Sequence, residues 1–143
     1  MLEHFGKLQR HFLTIQLNHL IIYAKNKVES ANFLADILGL SPPGTAGFFL
    51  AVDVANQVTL HYVEPGIEFP GQHYAFLVSE DEFDASLARI RERGIEYAAD
   101  PQWRRVGEIN TNHGGRGVYF KDPSGHGMEL ITRPYGSEPA NAR

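Results

Sequence analysis

The order of predicted secondary structure repeats once along this chain, and the repeat constrains the fold more than any other feature. In the first copy, residues 17–24 predict a strand, and Ser30 predicts the N-cap of a helix that ends at Gly39. Residues 47–53 and 57–63 then predict two strands joined by a turn. One such unit is too small to close a core, so two units packed side by side are expected.

The second copy follows the same order. Residues 72–79 predict a strand, and Ser79 with Glu82 fits a capping box at the start of a helix that ends at Gly94. Further strands are predicted at residues 103–106, 117–121 and 127–132. The two βαβββ modules predict an α+β fold, in which one curved mixed sheet surrounds a metal or substrate cavity and the helices lie outside.

The repeat also predicts the extent of the domain. A single domain is expected at residues 17–133, with its modules at about residues 17–64 and 72–133. Residues 1–16 are then an N-terminal extension. Residues 134–143 form a small polar tail that is expected to fray.

Composition excludes several classes of function. The chain has no cysteine, which excludes zinc–thiolate sites, iron–sulfur clusters and thiol catalysis. Its formal net charge is −4 and it lacks a basic stripe, so nucleic acid is not an expected partner. No apolar run approaches the roughly 18 residues of a membrane span, and the first residues lack the apolar core of a signal peptide. A cytoplasmic protein that binds a small molecule is therefore expected.

Three side chains are candidate metal ligands. His19 and His73 each lie early in the first strand of their module, and Glu129 lies in the last strand of the second module. Glu129 stands between two apolar residues, so in a strand it points away from them, and a buried carboxylate needs a partner or a cation. Superposing the copies places His19 on His73 and Thr59 on Glu129. Two histidines and one carboxylate can hold a divalent metal and leave about three coordination positions open.

Four sequence blocks carry a resemblance to a known superfamily: LNHL at residues 17–20, FLADILGL at 33–40, HYAF at 73–76 and VYFKDPSGHGMEL at 118–130. On these blocks the chain resembles the vicinal oxygen chelate superfamily, which includes glyoxalase I, bleomycin-resistance proteins and extradiol dioxygenases. The last block is the most specific, because it joins a DPxGH-type turn to a strand with a glutamate. The resemblance implies metal ligands from the first and last strand of each module, and a homodimer.

Those four places hold His19, Thr59, His73 and Glu129. Glyoxalase I-type enzymes usually fill all four with ligands, whereas a His-His-Glu set is the pattern of extradiol dioxygenases. A threonine hydroxyl is a poor ligand beside a carboxylate. The resemblance therefore implies an extradiol-type dioxygenase that acts on a small vicinal diol or catechol-like compound. Fe(II) is the favoured metal, with Mn(II), Zn(II) and Ni(II) as other candidates.

Other polar residues have a functional and a structural interpretation. His113, in the loop NTNHGG at residues 110–115, is a candidate general acid or base, and Tyr119 is a second candidate. A solvated loop and a packed tyrosine are the alternatives. His61 could line the cavity or replace a ligand, although a place beside the site or on the surface is favoured. Arg116 could attract an anionic substrate or be a surface charge.

Two further functions stay open within the superfamily. A glyoxalase-like lyase or an epimerase would use the metal to stabilise an enediolate while Glu129 moves a proton. The absence of a fourth ligand at Thr59 counts against this chemistry. A metal-free antibiotic-binding protein would use the same cavity with aromatic walls, and it would not need the His-His-Glu set.

Overall fold

The computed structural model describes residues 13–137. The first module contains β1 (His19–Tyr23), α1 (Lys27–Leu38), β2 (Gly44–Ala46), β3 (Phe49–Asp53) and β4 (Thr59–Val63). The second module contains β5 (His73–Leu77), α2 (Glu80–Glu92), β6 (Tyr97–Ala98), β7 (Gly117–Lys121) and β8 (Gly127–Ile131), with a short 3-10 turn (Asn112–Gly114) before β7. The predicted α+β class and its repeated module are confirmed. Most of the expected N-terminal extension and the end of the expected tail lie outside the described residues.

The two modules have the same sheet topology. The first sheet has the strand order β1-β4-β3-β2 and the second has β5-β8-β7-β6. In each sheet the first and last strands of the module pair in parallel, and the other neighbours pair antiparallel. The strands thus form two four-stranded sheets rather than the single continuous sheet that we expected. Within the described residues, β1 and β5 each have a neighbour on one side and an open edge on the other.

Several element boundaries differ from the prediction. α1 begins one turn earlier, because Asn26 is its N-cap and its side chain accepts a hydrogen bond from the Glu29 amide at 3.0 Å. Ser30 instead lies inside the helix with its side chain buried. A short strand that was not predicted, β2, lies between α1 and β3. β6 replaces the strand expected at residues 103–106, where only Val106 bridges to Ala98. The capping box of α2 is confirmed.

The modules share one hydrophobic core. In β1 and β5, alternate side chains enter this core, among them Ile22 and Phe76, while the residues between them face away. The helices contribute Leu34 and Phe83, and no described helix is long and apolar enough to cross a membrane. Each sheet therefore has one face on the shared core and one face turned away from it, and His19 and His73 lie on the faces turned away.

The turn between β7 and β8 joins the two modules. Asp122 Oδ1 accepts hydrogen bonds from the amides of Ser124 and His126, at 3.0 and 2.8 Å. Ser124 Oγ accepts from the Lys25 amide at 3.0 Å, and the buried His126 ring bonds through Nε2 to the Tyr23 carbonyl oxygen at 2.6 Å. Because Tyr23 and Lys25 flank the end of β1, the turn fixes the first module against the second.

Candidate metal centre

His73 and Glu129 meet on the second sheet. β5 and β8 are parallel neighbours, and His73 Nε2 lies 3.0 Å from Glu129 Oε1. Glu129 is only 2 % exposed, although its face of the sheet points away from the core, and the His73 side chain is 52 % exposed. The neighbours of Glu129 in β8, Met128 and Leu130, enter the core, so strand alternation places the carboxylate on the opposite face.

Two tyrosines complete the surroundings of Glu129. The hydroxyl of Tyr135 lies 3.2 Å from Oε1 and 3.1 Å from Oε2 of the carboxylate. Tyr119 lies directly opposite Glu129 in the β7–β8 ladder, and its hydroxyl is 3.4 Å from that of Tyr135. Tyr135 was missed by the sequence analysis, which assigned it to a frayed tail. An aromatic residue directly after Pro134, soon after the last strand, was the one available signal.

Tyr119 is held in its protonated form. Burial raises the pKa of its phenol above the usual range, and the hydrogen bonds to Tyr135 and Glu129 raise it further. Its ring stacks against the His73 ring, with the centroids 6.1 Å apart. At neutral pH Tyr119 can therefore donate a hydrogen bond beside Glu129, and it is unsuited to act as a base.

His113 lies next to this group and reaches it through Tyr135. Its ring packs against the Tyr135 ring at a centroid distance of 4.5 Å, and its Nδ1 accepts a hydrogen bond from the Gly136 amide at 3.2 Å. The backbone of His113 is left-handed, with φ of 59°. The loop that carries it is fixed by the buried Asn110, whose side chain donates to the Ala99 carbonyl at 2.8 Å. The loop is thus ordered and lies beside the site.

His19 lies on the first sheet, apart from the other two candidate ligands. Its ring stacks on that of His61, with centroids 5.2 Å apart, and its Nδ1 lies 2.7 Å from Asn18 Oδ1. The Phe49 ring also packs against that of His61, with centroids 5.1 Å apart. Across residues 13–137, no group of three or more His, Cys, Asp or Glu side chains is arranged to hold a metal. One chain thus brings together two of the three candidate ligands.

The strand registers correct the superposition of the two modules. In the first sheet, His19 pairs with Thr59, and Ile21, two residues after His19, pairs with His61. In the second sheet, His73 pairs with Gly127, and Ala75, two residues after His73, pairs with Glu129. The counterpart of Glu129 is therefore His61, and the expected match with Thr59 is wrong. The Thr59 hydroxyl instead donates a hydrogen bond to Asp53 Oδ1 at 2.7 Å.

The Arg116 side chain makes contacts that stabilise the fold. Its guanidinium forms ion pairs with Glu80 at 2.7 Å and Asp84 at 2.8 Å, both on α2, and lies 4.5 Å above the centre of the Phe83 ring. Hydrogen bonds from Thr132 and Arg116 lower the pKa of the Glu80 carboxyl. The side chain therefore ties the start of β7 to α2, which agrees with the interpretation of Arg116 as a surface charge.

Comparison with known proteins agrees with this architecture. The sequence profile of the Glyoxalase/Bleomycin resistance protein/Dioxygenase superfamily matches residues 16–130. The chain belongs to this superfamily. This match confirms the resemblance of the four sequence blocks at the level of the superfamily. Most members of the superfamily are metal-dependent enzymes.

Similar members of the glyoxalase/dioxygenase superfamily include oxidases and a transferase. The structure of oxidase ChaP-H1 is 53 % identical, with a TM-score of 0.85, and the match covers 87 % of this chain and 100 % of that one. Oxidase ChaP-H2 is 56 % identical, with a TM-score of 0.84 and coverage of 87 % and 98 %. Glutathione transferase FosA from Serratia marcescens is 30 % identical over 122 residues, which cover 80 % of this chain and 78 % of the relative.

The chemistry around Glu129 fits a divalent cation. The groups in contact with the buried carboxylate are the His73 imidazole and the phenols of Tyr119 and Tyr135, and none of them carries a fixed positive charge. A buried carboxylate is costly unless a cation or strong hydrogen bonds compensate it. Imidazole nitrogen and carboxylate oxygen are also common ligands of Fe, Mn and Zn. His73 and Glu129 are therefore suited to hold such a metal together.

Proposed function

We propose that this protein is a metal-dependent oxidase of the extradiol dioxygenase type, acting on a small vicinal diol or catechol-like compound. The observation that carries the proposal is the buried Glu129 carboxylate beside the His73 imidazole on a sheet face turned away from the core. The identity above 50 % to two proteins named as oxidases, over nearly their whole length, supports oxidation as the reaction class. Fe(II) is the metal that we favour, and Mn(II) could replace it.

We propose that a second copy of the chain supplies the third ligand, His19. His19 and the half-exposed Ile21 and Tyr23 share the face of β1 that is turned away from the core. His73 and the exposed Leu77 share the corresponding face of β5. A cavity of about 520 Å³ lies along β5, whose edge is open, and residues of the first module line its other wall. A homodimer that brings β1 of one copy to β5 of the other would bury these apolar side chains and complete the His-His-Glu set.

The residues around the metal would have separate roles. Fe(II), when bound, lowers the pKa of a coordinated substrate hydroxyl and supplies redox chemistry. Tyr119, which stays protonated, would donate a hydrogen bond to a substrate oxygen beside Glu129. His113 would accept or return a proton at the mouth of the site, as its ring lies there on Tyr135. The exposed apolar side chains of β1 and β5 would exclude water from the closed site.

Metal analysis and oxygen consumption test the proposal together. The protein is purified without oxygen, its iron content is measured, and oxygen uptake is followed with a panel of catechols. We expect bound iron and oxygen uptake with at least one catechol. The variants His19→Ala, His73→Ala and Glu129→Ala are each expected to lose iron, and full iron content in all three would contradict the ligand set. Iron-loaded protein that oxidises no catechol would contradict the reaction.

One observation favours a second candidate, a lyase or epimerase that works through an enediolate. The strand registers place His61, which can bind a metal, at the fourth symmetry-related position. Thr59 therefore does not count against a four-ligand site. Isomerisation of a methylglyoxal–thiol adduct without oxygen uptake would favour this candidate. Enzyme-dependent addition of glutathione to an electrophilic second substrate, without oxygen uptake, would instead favour the transferase chemistry for which the Serratia marcescens relative is named.

A further inference from the structure

Tyr135 lies outside every regular element, yet its hydroxyl contacts both oxygens of the most buried carboxylate of the candidate centre. The distances to Glu129 Oε1 and Oε2 are 3.2 and 3.1 Å. His73 Nε2 lies 3.0 Å from Oε1 and forms no hydrogen bond with Oε2. The two contacts thus differ: His73 is directed at Oε1, while the Tyr135 hydroxyl lies almost equally far from both oxygens.

The segment that carries Tyr135 is fixed from two sides. The amide of Gly136 donates to His113 Nδ1 at 3.2 Å, and the rings of His113 and Tyr135 are in contact. The Tyr135 hydroxyl also lies 3.4 Å from that of Tyr119 on β7. A hydrogen bond from a group held in this way directs the carboxylate more strongly than one from a freely rotating side chain, because less conformational entropy is lost.

We propose that Tyr135 is a positioning residue whose hydroxyl engages both oxygens of Glu129 and so keeps a metal from binding both of them. This inference rests on the proposed metal centre. Oε1 is also the oxygen that His73 Nε2 contacts, so a metal held by His73 would meet Glu129 at Oε1. With the phenol almost equally far from the two oxygens, Glu129 would bind through one oxygen, and the coordination position that a second oxygen would take would stay free for substrate. Hydrogen bonds to a ligating carboxylate commonly have this orienting effect.

The substitution Tyr135→Phe removes the hydroxyl and keeps the ring. Tyr97→Phe is the matched control, since the Tyr97 hydroxyl on β6 bonds to Arg91 instead of to the site. Metal-free preparations of both variants and of the wild type are titrated with Co(II) and with Fe(II) against a competing chelator, and the visible spectrum of the Co(II) form is recorded. We expect about 10-fold or greater loss of affinity in Tyr135→Phe, the usual result of removing a partner of a metal ligand. The Co(II) spectrum should weaken, as a second carboxylate oxygen raises the coordination number.

A second variant checks how the segment is held. His113→Asn removes the ring contact with Tyr135 and keeps a residue type that tolerates left-handed backbone. Its loss of affinity should be in the same direction and smaller than that of Tyr135→Phe. Thermal unfolding of each metal-free variant shows whether the fold is intact, and the exposure of Tyr135, at 61 %, makes a large change unexpected.

The outcomes separate this inference from the proposed function. If Tyr135→Phe matches Tyr97→Phe in both affinity and Co(II) spectrum, Tyr135 is not a positioning residue, while the metal centre stands. If the wild-type protein binds neither Co(II) nor Fe(II), the metal centre and the role of Tyr135 are both wrong. Weaker binding with an altered spectrum in Tyr135→Phe, and neither change in Tyr97→Phe, would support the inference.

Discussion

Glu129 is the residue on which the candidate centre depends most. Its carboxylate is buried at a cost that His73 and Tyr135 reduce by hydrogen bonding. A carboxylate kept in such a place is better explained by a bound cation than by stability, because replacing a whole buried ion pair with uncharged groups is often neutral or stabilising, and the His73 partner is half exposed. Replacing Glu129 should therefore affect metal binding much more than stability.

The variant Glu129→Gln separates these two effects. The amide keeps the shape of the side chain and removes its charge. We expect metal affinity to fall by about 100-fold or more, since a ligand is lost. The free energy of unfolding of the metal-free protein should fall by less than about 1 kcal/mol, or rise. Chelator competition and urea denaturation measure the two quantities, and Glu92→Gln at the exposed end of α2 is the control. A stability loss above about 2 kcal/mol would indicate a structural role instead.

Tyr119 provides a test of the local environment through its ionisation. Because its pKa is raised, it should keep its proton while ordinary tyrosines ionise near pH 10. The folded form then holds a proton that the unfolded form loses, so this group favours the folded state fully below about pH 10 and progressively less above it. We expect the ultraviolet titrations of wild type and Tyr119→Phe to coincide between about pH 9 and pH 11. A curve lower by one tyrosine in the variant would show that Tyr119 ionises normally.

Among the secondary-structure elements, the turn after β7 has the widest structural role. The His126 ring accepts from the Gln72 amide at 2.9 Å through Nδ1 and donates to the Tyr23 carbonyl through Nε2, which fixes the neutral tautomer. It also packs against Phe69 and Tyr74. The turn therefore connects the end of the first strand of one module to the start of the first strand of the other, and it sets how the two sheets are placed.

The variant His126→Phe tests this connection. It keeps an aromatic ring against Phe69 and Tyr74 and leaves the part-buried Gln72 amide and Tyr23 carbonyl without these partners. We expect the free energy of unfolding to fall by about 1–3 kcal/mol, because a fully buried unpaired group costs about 1–3 kcal/mol and these two groups are buried in part. Urea denaturation measures the change, with the exposed Ser41→Ala as the control. A loss below about 0.5 kcal/mol, the size of an ordinary surface substitution, would exclude a connecting role for the ring.

The elements that could be predicted are those whose signals are local. α2 carries its whole capping box within four residues, and its first residue follows from that. α1 was placed wrongly because Ser30 resembles an N-cap locally, whereas its hydroxyl lies 2.8 Å from that of Ser124 in the other module. β2 and β6 have three and two residues, which is too short for a period-two pattern to be seen.

The same distinction applies to the candidate site. His73 and Glu129 were found because both stand in strands that repeat a known pattern, and the structure places them in contact. The role of Thr59 was misjudged because a register error of two residues leaves a side chain on the same sheet face, so sequence alternation cannot detect it. Tyr135 comes to Glu129 through the path of a loop, and no sequence periodicity describes such a path.

The arrangement of the two modules determines where a complete centre can form. Within residues 13–137 the modules meet through their buried faces and helices, and Phe33 contacts Phe120 across this boundary with ring centres 6.2 Å apart. The faces that carry His19 on one sheet and His73 on the other are both turned away from that boundary. A pairing of the same two faces between copies satisfies the symmetry of a closed dimer and forms two identical sites.

Mixing two inactive variants is the most direct test of this shared centre. His19→Ala lacks a ligand on the first module, and His73→Ala lacks one on the second. If each site combines modules from two copies, unfolding and refolding an equal mixture gives half mixed dimers with one intact site each, and about a quarter of the wild-type iron content and activity should return. Each variant alone should bind little iron. If the mixture recovers no more iron than the separate variants, a centre shared between two copies is contradicted.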